Sequence, residues 1–163
     1  MNKRILQLTA IAALLLQACG QSKPLEEKKL EKHDLTITMP QTNEVPEFQE
    51  YQYSETELSE YDFHISDARV EFIEIRESVY PTDTTMLKKA VTGSADFIEM
   101  LETKQLKNGA FVATFKMKGS DGSTIKNFLF YFKKGNRYFK IEPVFNTELK
   151  EMDKQLAAFE SLK

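Results

Sequence analysis

Cysteine is almost missing from this chain of 163 residues: Cys19 stands alone. A single thiol closes no disulfide within the chain, and if that thiol is modified, cysteine-ligated metal centres and cysteine nucleophiles are excluded as well. Histidine is scarce too, with His33 and His64 only, so a metal site cannot be assembled from several imidazoles. No glycine-rich phosphate cradle is present, since Gly119 and Gly122 bracket a turn, Gly119-Ser120-Asp121-Gly122. Ser66, Ser94, Ser120, Ser123 and Ser161 all lack the glycine-flanked elbow that exposes a serine nucleophile. The apolar run at residues 5–16 is broken only by Gln7 and Thr9, and it falls well short of the roughly twenty residues a membrane-crossing helix needs. Finally, residues 34–67 contain no Lys or Arg, and the whole chain carries a net charge of −3. Nucleic acid, whose phosphates demand basic surface, is excluded as a partner.

What is present begins with a secretory pattern. Lys3 and Arg4 precede the apolar run, and Leu16-Gln17-Ala18-Cys19-Gly20 closes it with small residues suited to cleavage. Leu16-Gln17-Ala18-Cys19 resembles the lipobox of bacterial lipoproteins, with Leu16 three places before the cysteine and small Ala18 directly before it; Gln17 departs from the small or aliphatic residue usual there. The resemblance implies that residues 1–18 are removed as a signal peptide and that Cys19 receives a diacylglycerol and further acylation. Acyl chains stabilise membrane attachment by about 0.8 kcal/mol per buried methylene, so two or three of them hold a protein almost permanently. Removal of residues 1–18 takes Lys3 and Arg4 with it and moves the charge from −3 to −5. Gly20, where an aspartate would retain such proteins in the inner membrane, implies the outer membrane, facing the periplasm. The acidic pair Glu26-Glu27 keeps export to the cell surface as the alternative. Residues 20–33, with mixed charge and hardly any apolar side chain, read as a flexible tether.

From Asp34 the chain reads as one domain. Residues 35–39 alternate as a half-buried strand closed by Pro40, and a loop with Pro46 leads to an expected strand around residues 48–53. Ala68, Val70 and Phe72 share one face, and the shift to Ile73 and Ile75 predicts a bulge. Thr82 or Asp83 is placed to cap a helix with Met86, Leu87, Ala90 and Val91 at helical spacing. Gly93 interrupts it, and Ser94 begins a second helical piece carrying Phe97, Ile98 and Leu101. A meander follows: Phe111, Ala113, Phe115 and Met117 alternate, residues 125–132 return, Gly135-Asn136 fits a two-residue hairpin, and residues 138–145 form the third strand. Pro143 suggests an edge or exit. Phe128, Phe130 and Phe132 on one face, with Leu129 and Tyr131 on the other, predict a middle strand covered on both sides. Asn146 or Thr147 caps a last helix with the stripe Leu149, Met152, Leu156 and Phe159. The fold class is therefore α+β: an antiparallel β-sheet with a C-terminal meander, packed by a middle helical segment and a C-terminal helix, over residues 34–163.

This order of elements, from a strand ending in Met39-Pro40 to the ending Phe159-Glu160-Ser161-Leu162-Lys163, resembles the PsbP-like superfamily. The resemblance implies a binding or assembly module and carries over no catalytic residues.

Candidate sites follow from the charges. Residues 34–101 hold fifteen acidic and four basic side chains, whereas residues 102–163 hold seven and twelve. In the acidic part, Glu47, Glu50 and Glu57 interleave with Tyr51, Tyr53 and Tyr61, as do Phe48 and Phe63 with Glu55, Glu60 and Asp62. Acid for steering and tyrosine for contact area predict a protein-binding surface; aromatics buried as core with solvating acids is the alternative. His64 between Asp62 and Asp67 lacks further convergent ligands and reads as a satisfied, partly exposed histidine rather than a metal ligand or base, with no other histidine expected inside the domain. No cofactor and no metal are expected. The partners expected are the membrane, through lipid on Cys19, and an envelope or secreted protein. The functional reading is a non-catalytic protein-binding or assembly lipoprotein; the alternatives are an immunity protein that neutralises a secreted toxin and, more remotely, an envelope hydrolase.

Overall fold

The computed structural model describes residues 23–144 and 150–163. Its frame is a seven-stranded antiparallel sheet in the order β3-β4-β5-β9-β8-β7-β6, accompanied by a separate two-stranded ribbon, β1-β2. The ribbon comprises β1 (Leu25–Leu30) and β2 (Leu35–Pro40). The sheet comprises β3 (Glu47–Glu50), β4 (Glu57–Ile65), β5 (Ala68–Ile75), β6 (Phe97–Gln105), β7 (Phe111–Lys118), β8 (Thr124–Lys134) and β9 (Arg137–Pro143). Two helices complete the fold, α1 (Thr84–Thr92) and α2 (Met152–Glu160).

The chain builds the sheet from both ends. Strands β3, β4 and β5 pair in sequence; α1 then carries the chain to the far edge, and β6 to β9 meander back until β9 pairs with β5, Phe72 opposite Ile141. Both α1 and the ribbon-plus-α2 layer bury apolar stripes against this sheet, on opposite faces. On the front face, Leu30, Leu35, Ile37 and Met39 of the ribbon and Ala158 and Phe159 of α2 pack on Phe63, Val70, Phe72, Phe128, Phe130 and Ile141. On the back face, Leu87 and Val91 of α1 and Tyr80 pack on Ile73, Ile75, Phe111, Ala113, Phe115, Leu129 and Tyr131. The expected α+β architecture, the meander and the doubly covered middle strand are all present, and Gly135 has φ +59°, the left-handed first position that a type II′ turn requires.

Local chemistry explains the ends of the elements. Asp83, rather than Thr82, caps α1, its carboxylate accepting the Met86 N–H at 2.8 Å. After α2, the chain exchanges backbone hydrogen bonds between Lys163 and Thr36, and Ser161 Oγ accepts the Thr38 N–H at 2.8 Å. The C-terminal residues thus tie α2 to β2.

Three expectations are corrected. The tether does not extend to His33, because β1 pairs along its whole length with β2, Leu25 opposite Pro40 to Leu30 opposite Leu35, and Leu30 is fully buried. Its sequence, four charged residues between Leu25 and Leu30, has no apolar alternation; the backbone ladder to β2 and the burial of Leu30 hold it. No bulge sits at Phe72-Ile73, where the register with β4 is unbroken (Tyr61 opposite Phe72, Glu60 opposite Ile73); the bulge in this pair lies at Leu58, between Glu57 and Ser59. Phe72 and Ile73 are both buried because β5 is covered on both faces, Phe72 in front and Ile73 behind. Lastly, Phe97, Ile98 and Leu101 belong to strand β6, not to a second helical piece. The expected cap at Asn146 or Thr147 and the stripe residue Leu149 lie outside the described residues.

Candidate protein-binding surface

Helix α1 lies over the β6-β7 side of the back face, and among the described residues the side towards β3 and β4 is left without a helix. In an antiparallel ladder, directly opposed residues share a face, and the register puts Glu47 opposite Asp62, Asp62 opposite Glu71, and Glu71 opposite Glu142. Four carboxylates therefore form one row across four neighbouring strands on the uncovered half. In the adjacent row, Gln49, Glu60, Ile73 and Lys140, Gln49 is exposed while Glu60 and Ile73 are buried. Like charges directly opposed are destabilising, so the row has to be offset by the cations around it.

Neutralisation is partial. Arg69 forks onto Asp62 through Nε at 2.8 Å and also through Nη2, and this bond holds its guanidinium above its ordinary pKa. Lys140 reaches Glu142 at 2.7 Å and Glu57 at 3.1 Å; burial pulls its pKa down, but the two carboxylates outweigh it and the net shift is upward. Glu71 has no such help. Burial, then Glu60 and Glu142, push its carboxyl above the usual range, with Lys140 opposing. Tyr51 lies on the same face, two residues beyond Gln49. Burial, a hydrogen bond to Glu60 and the charges of Glu60, Glu57 and Glu71 push its hydroxyl well up. The surface is rich in acid with a tyrosine at its rim, a charge that a cationic surface would complement.

The sequence-derived residues divide between the two sides. Glu47 and Tyr51 lie on the acidic half-face, and Glu57 borders it through Lys140. Glu50 has the parity of Phe48 and falls on the front side. Tyr53 is 95% exposed in the loop after β3. Tyr61 is no contact residue: it is 5% exposed in the front core, its hydroxyl accepting the Lys32 N–H at 2.6 Å. Proximity in sequence mixed residues that the strand period separates. Glu71 and Glu142 were not singled out because their alignment with Asp62 arises only from strand pairing. Cys19 lies outside the described residues.

The two histidines have different surroundings. His64 is exposed, its Nδ1 2.8 Å from Glu44 Oε1 and its N–H donating to Glu44 Oε2. Among the described residues no three His, Cys, Asp or Glu side chains are arranged to hold a metal ion. His33, expected in the tether, is inside the domain and 1% exposed. Its Nε2 lies 2.8 Å from Ser59 Oγ and 3.6 Å from Glu74 Oε2, and Phe48, Tyr61, Phe72 and Phe139 surround the ring. Arg137 binds both oxygens of Glu74, at 2.8 and 2.6 Å, and donates to the His33 carbonyl at 2.8 Å. Serine and acid share one imidazole nitrogen, and Nδ1 has no partner among the described residues. A relay needs the two nitrogens used separately and a serine open to substrate. With Ser59 at 6% exposure, the group works instead as a pin between the ribbon and the sheet.

A groove of about 930 Å³ runs beside the ribbon, the β4-β5 turn and α2, past Leu25, Pro40 and Ala157. Within its lining Asp67 is engaged internally, accepting from the Lys150 N–H at 2.8 Å and from Gln155 Nε2 at 2.6 Å. No family model, no curated protein and no solved structure matches this chain.

Proposed function

We propose that this protein is a lipid-anchored bacterial envelope protein, exported by residues 1–18, held through Cys19 at the outer membrane facing the periplasm, and acting without catalysis as a binding or assembly module for another envelope or secreted protein. The observation that carries the binding role is the row Glu47, Asp62, Glu71 and Glu142 on the half-face that α1 leaves open. Arg69 and Lys140 engage Asp62 and Glu142, yet four carboxylates remain directly opposed, and residues that break a local rule at a stability cost mark functional surface. Burial of such a row under a cationic partner converts the repulsion into cross-interface attraction and speeds encounter by steering. The resemblances of residues 16–19 to a lipobox and of the element order to the PsbP-like superfamily support the anchor and the module respectively.

The test is capture from whole cells with the full-length chain as bait, after mild crosslinking, comparing the natural chain with the Glu47→Lys, Glu71→Lys double variant. Loss of the captured protein with an unchanged melting temperature is expected; capture that survives both reversals would remove the half-face from function. A resident envelope protein in the eluate fits assembly, whereas a basic secreted toxin would assign the same surface to immunity.

A further inference from the structure

The front face has an uncovered patch of its own, of opposite charge. The ribbon and α2 pack over β4, β5, β9 and the Phe128–Phe132 side of β8. Beyond them the ladder sets Lys116 opposite Lys126, and Lys118 one step along shares their face. Lys116 is paired with Glu99 at 2.7 Å and Lys104 with Glu102 at 3.2 Å. Lys118 and Lys126 are exposed, and among the described residues no carboxylate lies within ion-pair distance of either. Two lysines in register are again a like-charge pair that a lone sheet does not need. The two faces thus carry the same anomaly with opposite sign, carboxylates at the β3 end behind and ammonium groups at the β7 end in front.

We propose that these are the two halves of one contact: the acidic half-face of one copy seats the lysine patch of a second copy. This rests on the reading of the acidic half-face as a docking surface and names its occupant. Because the patches are different and lie on opposite faces and at opposite ends of the sheet, the contact is head to tail. Each pair retains one unused acidic and one unused basic patch, so association continues into rows rather than stopping at a dimer, unless the rotation closes a ring. Attraction between such partly exposed groups weakens as salt shortens the screening length to about 8 Å at 0.15 M.

The test places a photoreactive amino acid at Gln49, an exposed and uncharged position on the acidic half-face, in the full-length chain in cells. Illumination is expected to give an adduct of twice the chain's mass, its second peptide mapping to β7 or β8. Lys118→Glu with Lys126→Glu should cut the yield at least tenfold. Co-expression of that variant with a probe chain carrying Glu47→Lys and Glu71→Lys should restore an adduct between the two. A self-adduct that ignores the lysine reversals, or maps elsewhere, overturns the proposal. An adduct with a different protein alone overturns it too while leaving the protein-binding reading intact; loss of neither capture nor crosslink on reversal of Glu47 and Glu71 overturns both. Unchanged melting curves of the variants exclude misfolding as the cause of a lost adduct.

Discussion

Lowering the pH from 7 to 4 forces a proton onto a ring that has no room for its charge. His33 is 1% exposed among four aromatic rings. Burial brings its pKa from 6.5 down to about 4, with Glu74 pulling it back up and Arg137 pushing it further down. The unfolded chain therefore binds more protons than the folded one between those two values. The neutral ring's contribution is complete above pH 6.5 and is lost as the pH falls towards 4. At 1.36 kcal/mol per unit, the difference between 6.5 and 4 amounts to about 3 kcal/mol, a large share of the 5–15 kcal/mol typical of a domain. Glu74, whose pKa is lowered chiefly by its bond to Arg137, adds acid lability, but only below its ordinary value of 4.5. Glu71, raised by burial and its acidic neighbours, works in the opposite sense. Urea unfolding at pH 7.5, 6.5, 5.5 and 4.5 separates these windows. The chain has no tryptophan, so far-UV circular dichroism is the readout. Stability should fall with a slope approaching 1.4 kcal/mol per pH unit near pH 5. His33→Phe, which keeps the ring packing and leaves Ser59 Oγ only its long 3.4 Å bond to Glu74, should cost about 1–3 kcal/mol at pH 7.5 and abolish the slope. A flat natural chain over this range, or a slope that survives in His33→Phe and vanishes in His64→Ala, would refute the reasoning.

Other outcomes are equally specific. Phe159→Ala, which removes a fully buried ring 5.4 Å from Phe128 and 5.6 Å from Phe130, should cost about 3–5 kcal/mol in the same titration. Asp83→Ala should cost about 1 kcal/mol through loss of the α1 cap. Glu71→Gln should leave stability at pH 7 unchanged or raise it by up to about 1 kcal/mol, since it relieves the acid row, while weakening partner capture; a destabilised variant would show that the carboxylate serves the fold. Cys19→Ala should abolish palmitate labelling and move the protein from the membrane to the soluble fraction, and an unchanged distribution would remove the anchor.

Much of the fold was legible where the strand period was clean. Phe128, Phe130 and Phe132 against Leu129 and Tyr131 announced a strand covered on both sides, and Gly135-Asn136 announced its hairpin. β6 was hidden by its own irregularity. Register shifts after Phe97 and after Met100 leave Ile98 and Leu101 as extra residues, so Phe97 and Met100 reach the same core at a spacing of three, which imitates a helix. β1 was hidden by charge: of its inward positions Glu26, Lys28 and Leu30 only Leu30 is apolar, and the strand is held by its ladder to β2, which leaves no periodic signal in its own residues. The candidate surface was half visible: the excess of acid was plain in residues 34–101, but which acids face together depended on Glu71 meeting Glu142 from a strand 71 residues later, a pairing encoded in no local pattern.

The start of β1 at Leu25 sets how high the domain stands. Only residues 20–24 lie between a lipid on Cys19 and the first residue of the β1-β2 ladder, and five residues span at most about 18 Å, against about 50 Å for the fourteen residues of a tether running to His33. Under the anchored reading the domain grazes the headgroups, and its meetings with a partner are confined to a layer one molecule deep. Confinement of two anchored proteins to such a layer raises their effective concentration towards the millimolar range seen with short linkers, so a contact too weak to detect in dilute solution can be well populated at the membrane.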